Sequence, residues 1–189
     1  MHTRYQVDPK SGKLSNSTYI ESPNFNERPL DASINLLVIH GISLPPGEFG
    51  QKWIQSFFCN ALDPSCHPYF ETIVDLKVSS HLLIERDGTI WQFVPFSKRA
   101  WHAGLSVFEG RGNCNDFSIG VELEGTDDIP YTERQYHTLA AVTLAIMKAY
   151  PAITQERIVG HSDIAPDRKT DPGESFDWNY FRKLIEKVC

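Results

Sequence analysis

Hydrophobic positions along the chain fall in short blocks with readable periods, separated by polar turns. Ile34-Asn35-Leu36-Leu37-Val38-Ile39 is an apolar, β-branched run, the pattern of a strand covered on both faces. It ends at His40-Gly41, and a Pro45-Pro46-Gly47 turn follows. Phe49 to Leu62 reads as a helix with Trp53, Phe57 and Phe58 on one side, and Pro64 and Pro68 then mark a loop. Val78 to Arg86 and Thr89 to Val94 flank Asp87-Gly88, which predicts a hairpin closed by a two-residue turn tolerant of positive φ. Phe117 to Leu123 is a further strand. Thr132 opens a long helix with Gln135 completing a capping box, and its stripe is Leu139, Val142, Ile146 and Ala149. Pro151 ends that helix. Arg157 to Val159 is a short strand leading into Gly160-His161, and Asp177 caps a last helix running through Val188. Its inward face is Trp178, Phe181, Leu184 and Ile185.

These elements predict an α/β fold, a single domain with a central mixed β-sheet flanked by helices. The boundaries expected are an extended, polar N-terminal arm over residues 1–33 and the domain over 34–189. Composition changes this picture little: 41% hydrophobic and 22% charged residues in 189 is ordinary for a globular chain with its own core. Charge narrows the partners. A net charge of −6 argues against a nucleic-acid partner and against stable association with anionic membranes. No signal-peptide-like run opens the sequence, so the cytoplasm is the expected compartment. Cys59, Cys66, Cys114 and Cys189 lack C-x-x-C spacing and read as reduced thiols, with Cys59 and Cys66 the pair closest in sequence.

Two of the seven histidines, His40 and His161, share a position at the C-terminal end of an apolar strand run, the edge where open α/β sheets bind ligands. A catalytic zinc takes three protein ligands and keeps a fourth position open, and Asp171, ten residues past His161, is the candidate third ligand. This is not an H-E-x-x-H arrangement, and capping roles account for the same residues on spacing alone. Hydrolysis at a metal also needs a carboxylate to carry a proton and a cation for the oxyanion. Glu122 is conspicuous inside Ile119-Gly120-Val121-Glu122-Leu123, since a lone buried carboxylate is costly, although an outward-facing place beside Glu124 fits too. Lys169 suits the oxyanion, although taken alone it reads first as a solvated loop lysine. His81 is expected to pack on the hairpin and His137 to face solvent, while His2 and His67 lie in polar segments. His102, in Trp101-His102-Ala103-Gly104, rivals the other two for metal or substrate contact.

Together these motifs resemble one family. Val38-Ile39-His40, Ile42 through Gly50, the Trp101–Gly104 box, Asn115 through Thr126, Gly160-His161 and Ile164 through Gly173 are similar, in order, to the cytosolic anhydromuramyl-L-alanine amidases of cell-wall recycling. The resemblance spans residues 34–186. It implies the mixed-sheet domain of phage lysozyme-type amidases and peptidoglycan recognition proteins. It also implies Zn2+ on His40, His161 and Asp171, with Glu122 as the catalytic carboxylate and Lys169 at the oxyanion. The implied substrate is an anhydromuropeptide, cut between the muramic lactyl group and L-alanine. Trp101, His102, Lys77, Arg111 and Arg168 are expected to shape the sugar and peptide pocket, with the basic residues facing the acidic stem peptide. Three positions vary within the resemblance. The third ligand is Asp where some relatives have Cys, Ser80 replaces a tyrosine of some phage relatives, and Gly41 stands where Asn is frequent. The alternatives to a recycling amidase are a phage or secreted wall-degrading amidase, a non-catalytic peptidoglycan-binding module, and an α/β protein with a structural metal.

Overall fold

The longest apolar runs become the middle of the sheet, because only there are both faces of a strand covered. A computed structural model describes residues 4–186. Its strands are β1 (Thr18–Tyr19), β2 (Phe25–Asn26), β3 (Leu36–Ile42), β4 (Leu82–Ile84), β5 (Ile90–Gln92), β6 (Arg99–Ala100), β7 (Val107–Phe108), β8 (Arg111–Gly112), β9 (Ser118–Glu124) and β10 (Ile158–Gly160). The α-helices are α1 (Trp53–Phe58), α2 (Pro68–Glu71), α3 (Glu133–Ala149), α4 (His161–Ile164) and α5 (Trp178–Glu186). Six strands pair in the order β1-β5-β4-β9-β3-β10. β10, β3, β9 and β4 run parallel and β5 is antiparallel to β4, so the sheet is mixed, as the alternation of elements predicts.

Side chains alternate across a strand, so the two central strands sort their residues onto two faces. Leu37 and Ile39 of β3, with Ile119, Val121 and Leu123 of β9, pack beneath α3 and α5 in the main core. The opposite face carries Leu36, Val38 and His40 from β3 and Gly120, Glu122 and Glu124 from β9. His40 and Glu122 are direct partners in the β3–β9 register. β3 does not stop at His40 but continues to Ile42, because β9 offers pairing partners as far as Glu124. His40 therefore sits within a strand, and is only 1% exposed.

The helices follow their signals with local corrections. Thr132 caps α3, its hydroxyl accepting from Gln135 N–H at 3.1 Å while Gln135 Oε1 accepts from Thr132 N–H at 3.0 Å. Thr132→Ala is expected to cost about 1 kcal/mol in a denaturant titration, the usual worth of such a cap. Unchanged stability would show that tertiary packing alone holds this helix end. Leu139, Val142 and Ile146 are buried as expected, but Ala149 is exposed and Ala145 takes its place in the core. α1 is shorter than the Phe49–Leu62 expected, since Lys52 before it and Asn60 after it both adopt positive φ. Pro64 and Pro68 each open a short turn of helix, consistent with their fixed φ at a first helical position. In the hairpin only Gly88 takes positive φ, and Glu85 N–H donates to Thr89 O. The turn is thus a three-residue loop, not the two-residue type expected. Asp177 caps α5 by accepting from Tyr180 N–H at 2.8 Å. Phe181 and Ile185 are buried, with Trp178 and Leu184 partly so, and Val188 lies outside the described residues.

The N-terminal segment is more tightly integrated than its polar sequence suggests. β1 extends the sheet beside β5, and Tyr5 and Leu14 enter the main core. Arg28, mostly buried, donates to the carbonyl oxygens of Phe96, Asn115, Asp116 and Ser118. Burial pushes its pKa down to about 10. Cys59, Cys66 and Cys114 are free thiols, while Cys189 and His2 lie outside the described residues. Among those residues no helix is long and apolar enough to cross a membrane.

Candidate metal and catalytic centre

Three side chains from two parts of the chain converge over the sheet. β3 supplies His40. β10 lies parallel to it and delivers His161 at the start of α4, and the following loop brings Asp171 back, its carbonyl accepting from Ser162 N–H. His40 Nδ1 and His161 Nδ1 stand 3.0 Å apart, and each is 3.1 Å from Asp171 Oδ2. No other group of His, Cys, Asp or Glu among the described residues gathers its ligand atoms in this way. Burial holds His40 largely unprotonated, with its pKa down to about 4. Burial works against the charge on Asp171, but the hydrogen bonds from His161 and His40 outweigh it and keep the carboxyl well below its usual range. Two imidazoles and one carboxylate form a nitrogen-rich donor set that suits zinc with an open fourth position, not an all-oxygen site for calcium or magnesium.

A cavity of about 310 Å³ opens over this triangle, walled by Leu44, Phe57, Tyr69, Trp101, Glu122 and Lys169 among others. Glu122 is 8% exposed, and its Oε2 has no hydrogen-bond partner. Burial raises its pKa well above the ordinary value; the charge of Asp171 adds to this and that of Lys169 opposes it. The outward-facing placement of Glu122 is therefore not what the fold adopts. Lys169 is half-buried at the cavity wall, not a fully solvated loop lysine.

The pocket candidates divide. Trp101 and His102 line the cavity, whereas Lys77, Arg111 and Arg168 are exposed and stand outside its wall. Arg111 lays its guanidinium over the Phe117 ring at 4.2 Å, and Arg168 donates to Ala103 O at 2.7 Å and Leu105 O at 2.9 Å. Lys77 sits between Leu76 and Val78, both lining residues, so it occupies the rim. Of the other histidines, His81 is fully buried, accepts from Gly120 N–H and has its pKa lowered to about 3 by burial, then by Arg28. His137 is on the exposed face of α3 as expected. Ser80 is buried without a partner for its hydroxyl. At Gly41, a Cβ would meet the hydroxyl of Tyr131, which donates to Pro172 O at 2.9 Å beside Asp171. Tyr131 thus supports the centre through Pro172, from a position that carries no metal-ligand signature.

A family model described as N-acetylmuramoyl-L-alanine amidase matches residues 30–174. The 1,6-anhydro-N-acetylmuramyl-L-alanine amidase AmpD of Escherichia coli K12 is 56% identical over 178 residues, covering 94% of this chain and 97% of that one. A crystal structure of a selenomethionine AmpD derivative superposes with a TM-score of 0.90 at 56% identity, over 93% of this chain and 98% of the other. E. coli AmiD, solved with anhydro-N-acetylmuramic acid-L-Ala-D-γ-Glu-L-Lys, superposes with a TM-score of 0.58 at 29% identity, over 85% of this chain and 65% of that one. Family match, near-full-length identity and shared fold agree, and the chain belongs to the N-acetylmuramoyl-L-alanine amidases.

Proposed function

We propose that the protein hydrolyses the amide bond between the lactyl group of 1,6-anhydro-N-acetylmuramic acid and L-alanine in soluble muropeptides, with Zn2+ held by His40, His161 and Asp171. The observation that carries this reading is the unpartnered, buried Glu122 oxygen in the same cavity as the three converging ligand atoms. Held by His40, His161 and Asp171, zinc would supply the Lewis acidity that activates a water for attack on the amide. Glu122 Oε2 takes the proton of the attacking water and returns it to the departing alanine nitrogen. Its raised pKa suits a group that must act first as base and then as acid. The Lys169 ammonium balances the charge that develops on the carbonyl oxygen, a fixed cation that needs no reorganisation during the reaction. Trp101 offers an aromatic wall to the sugar. Lys77 at the rim and Arg168 on the adjoining loop present positive charge where the acidic stem peptide leaves the cavity. The cytoplasmic recycling of wall fragments is the setting this reading entails, supported by the near-full-length likeness to anhydromuramyl amidases.

Release of stem peptide from an anhydromuropeptide and from intact peptidoglycan, each with and without a chelator, tests the reading. Chelator-sensitive cleavage of the fragment with little on the polymer is expected. Equal cleavage of both makes it a wall-degrading amidase, and cleavage of neither with metal present leaves only a binding module.

A further inference from the structure

Both triangle histidines turn their second ring nitrogen towards adjacent residues of one loop. His40 Nε2 lies 2.9 Å from His102 Nδ1, and His161 Nε2 donates to Ala103 O at 3.1 Å. With Nδ1 given to a bound zinc, each ligand ring would carry its proton on Nε2 and need an acceptor there. His102 meets that need for His40, and its own Nε2 reaches Ser118 Oγ at 3.1 Å. We propose that His102 is a positioning residue that fixes the tautomer and orientation of His40, and that Asn115 holds His102 and Ala103 in place for the two histidines together.

Three observations support this beyond the two contacts. First, Asn115 Oδ1 accepts from His102 N–H at 3.1 Å and from Ala103 N–H at 2.8 Å, so one buried side chain pins both residues. Second, the His102 ring lies against β9 where Gly120 leaves room: a Cβ there would stand 2.5 Å from His102 Cγ and 2.6 Å from Nδ1. Third, Ala103 O accepts from Arg168 as well as His161, which uses both of its lone pairs and fixes the carbonyl direction. A histidine buried only for packing needs no such alignment with a ligand ring. His102 thus stands behind the centre and acts on it through His40.

The inference rests on the zinc reading above, and its test separates the two. Zinc affinity is measured by competition with a chelating dye for the wild type, His102→Phe and His102→Asn, with circular dichroism to check the fold. Phenylalanine keeps the ring volume and removes both nitrogens; asparagine restores an acceptor near the Nδ1 position. His102→Phe is expected to bind zinc about 10–100-fold more weakly, the usual cost of losing a partner behind a ligand, with His102→Asn recovering much of that. Wild-type affinity in His102→Phe overturns the proposal, as does an equal loss in both variants. A wild type that binds no zinc at this centre removes the metal reading first, and this inference with it. Should His102→Phe fail to fold, a 15N–15N coupling across the His40–His102 hydrogen bond in zinc-loaded wild type supports the proposal, and its absence overturns it.

Discussion

Glu122→Gln is expected to slow amide cleavage by about 10²–10⁴-fold while leaving zinc affinity close to wild type, because the proton shuttle is lost and the ligands are not. Glutamine keeps the shape of the side chain but cannot take a proton from water at any working pH. The expected signature is a fall in kcat with little change in KM, since Glu122 is assigned to the reaction and not to holding the ground-state substrate. Burying a neutral amide where a carboxylate stood also removes a desolvated charge, so the variant should be no less stable than the parent. A Glu122→Gln enzyme with more than about a tenth of wild-type kcat would move the shuttle elsewhere, and Glu122 would then be a structural carboxylate.

Asp171→Ala should act one step earlier, on the metal. Even a group behind a ligand is worth about 10–100-fold in affinity, so loss of a ligand is expected to cost more than about 100-fold. Zinc that binds only the folded state stabilises it by about 2.7 kcal/mol at a hundredfold excess over Kd. For a chain of this size that is roughly a 5–11 °C rise in Tm. The wild type should therefore melt higher when zinc is added, and Asp171→Ala should not. Activity should fall with the lost zinc and return in part at high zinc concentration, which distinguishes this variant from Glu122→Gln. A full zinc-dependent Tm shift in Asp171→Ala would remove the carboxylate from the ligand set.

How much of this was legible in the sequence depends on whether a residue sits in a period or in a loop. β3 and β9 were readable as short apolar runs and α3 from its period of 3.6, and His40 came with β3 as the residue that closes its run; Glu122 stood out inside β9, but an outward-facing place fitted it as well. Asp171 lies in a turn and His161 directly after a short strand, and on spacing alone capping roles accounted for both; the ordered motifs of the family resemblance singled them out. The places of His102 and Arg168 were not readable, because what they touch is backbone and ring nitrogen brought close by tertiary folding. Tyr5, Leu14 and Arg28 escaped notice for a related reason. Isolated core residues in a polar segment have no period, and a guanidinium held by carbonyl oxygens has no charged partner to reveal it. Ala149 misled because a helix stripe was followed one turn beyond the surface it packs against.

The pairing of His40 with Glu122 across the β3–β9 ladder has a consequence for folding itself. A slip of one residue in that ladder would send Glu122 to the face beneath α3 and α5 and bring Val121 or Leu123 opposite the histidine. Such a mispaired chain could keep much of its secondary structure and still have no proton carrier beside its metal ligand. Recovered turnover after refolding therefore counts only molecules whose central strands have found their one correct alignment, which no measure of helix or strand content can do.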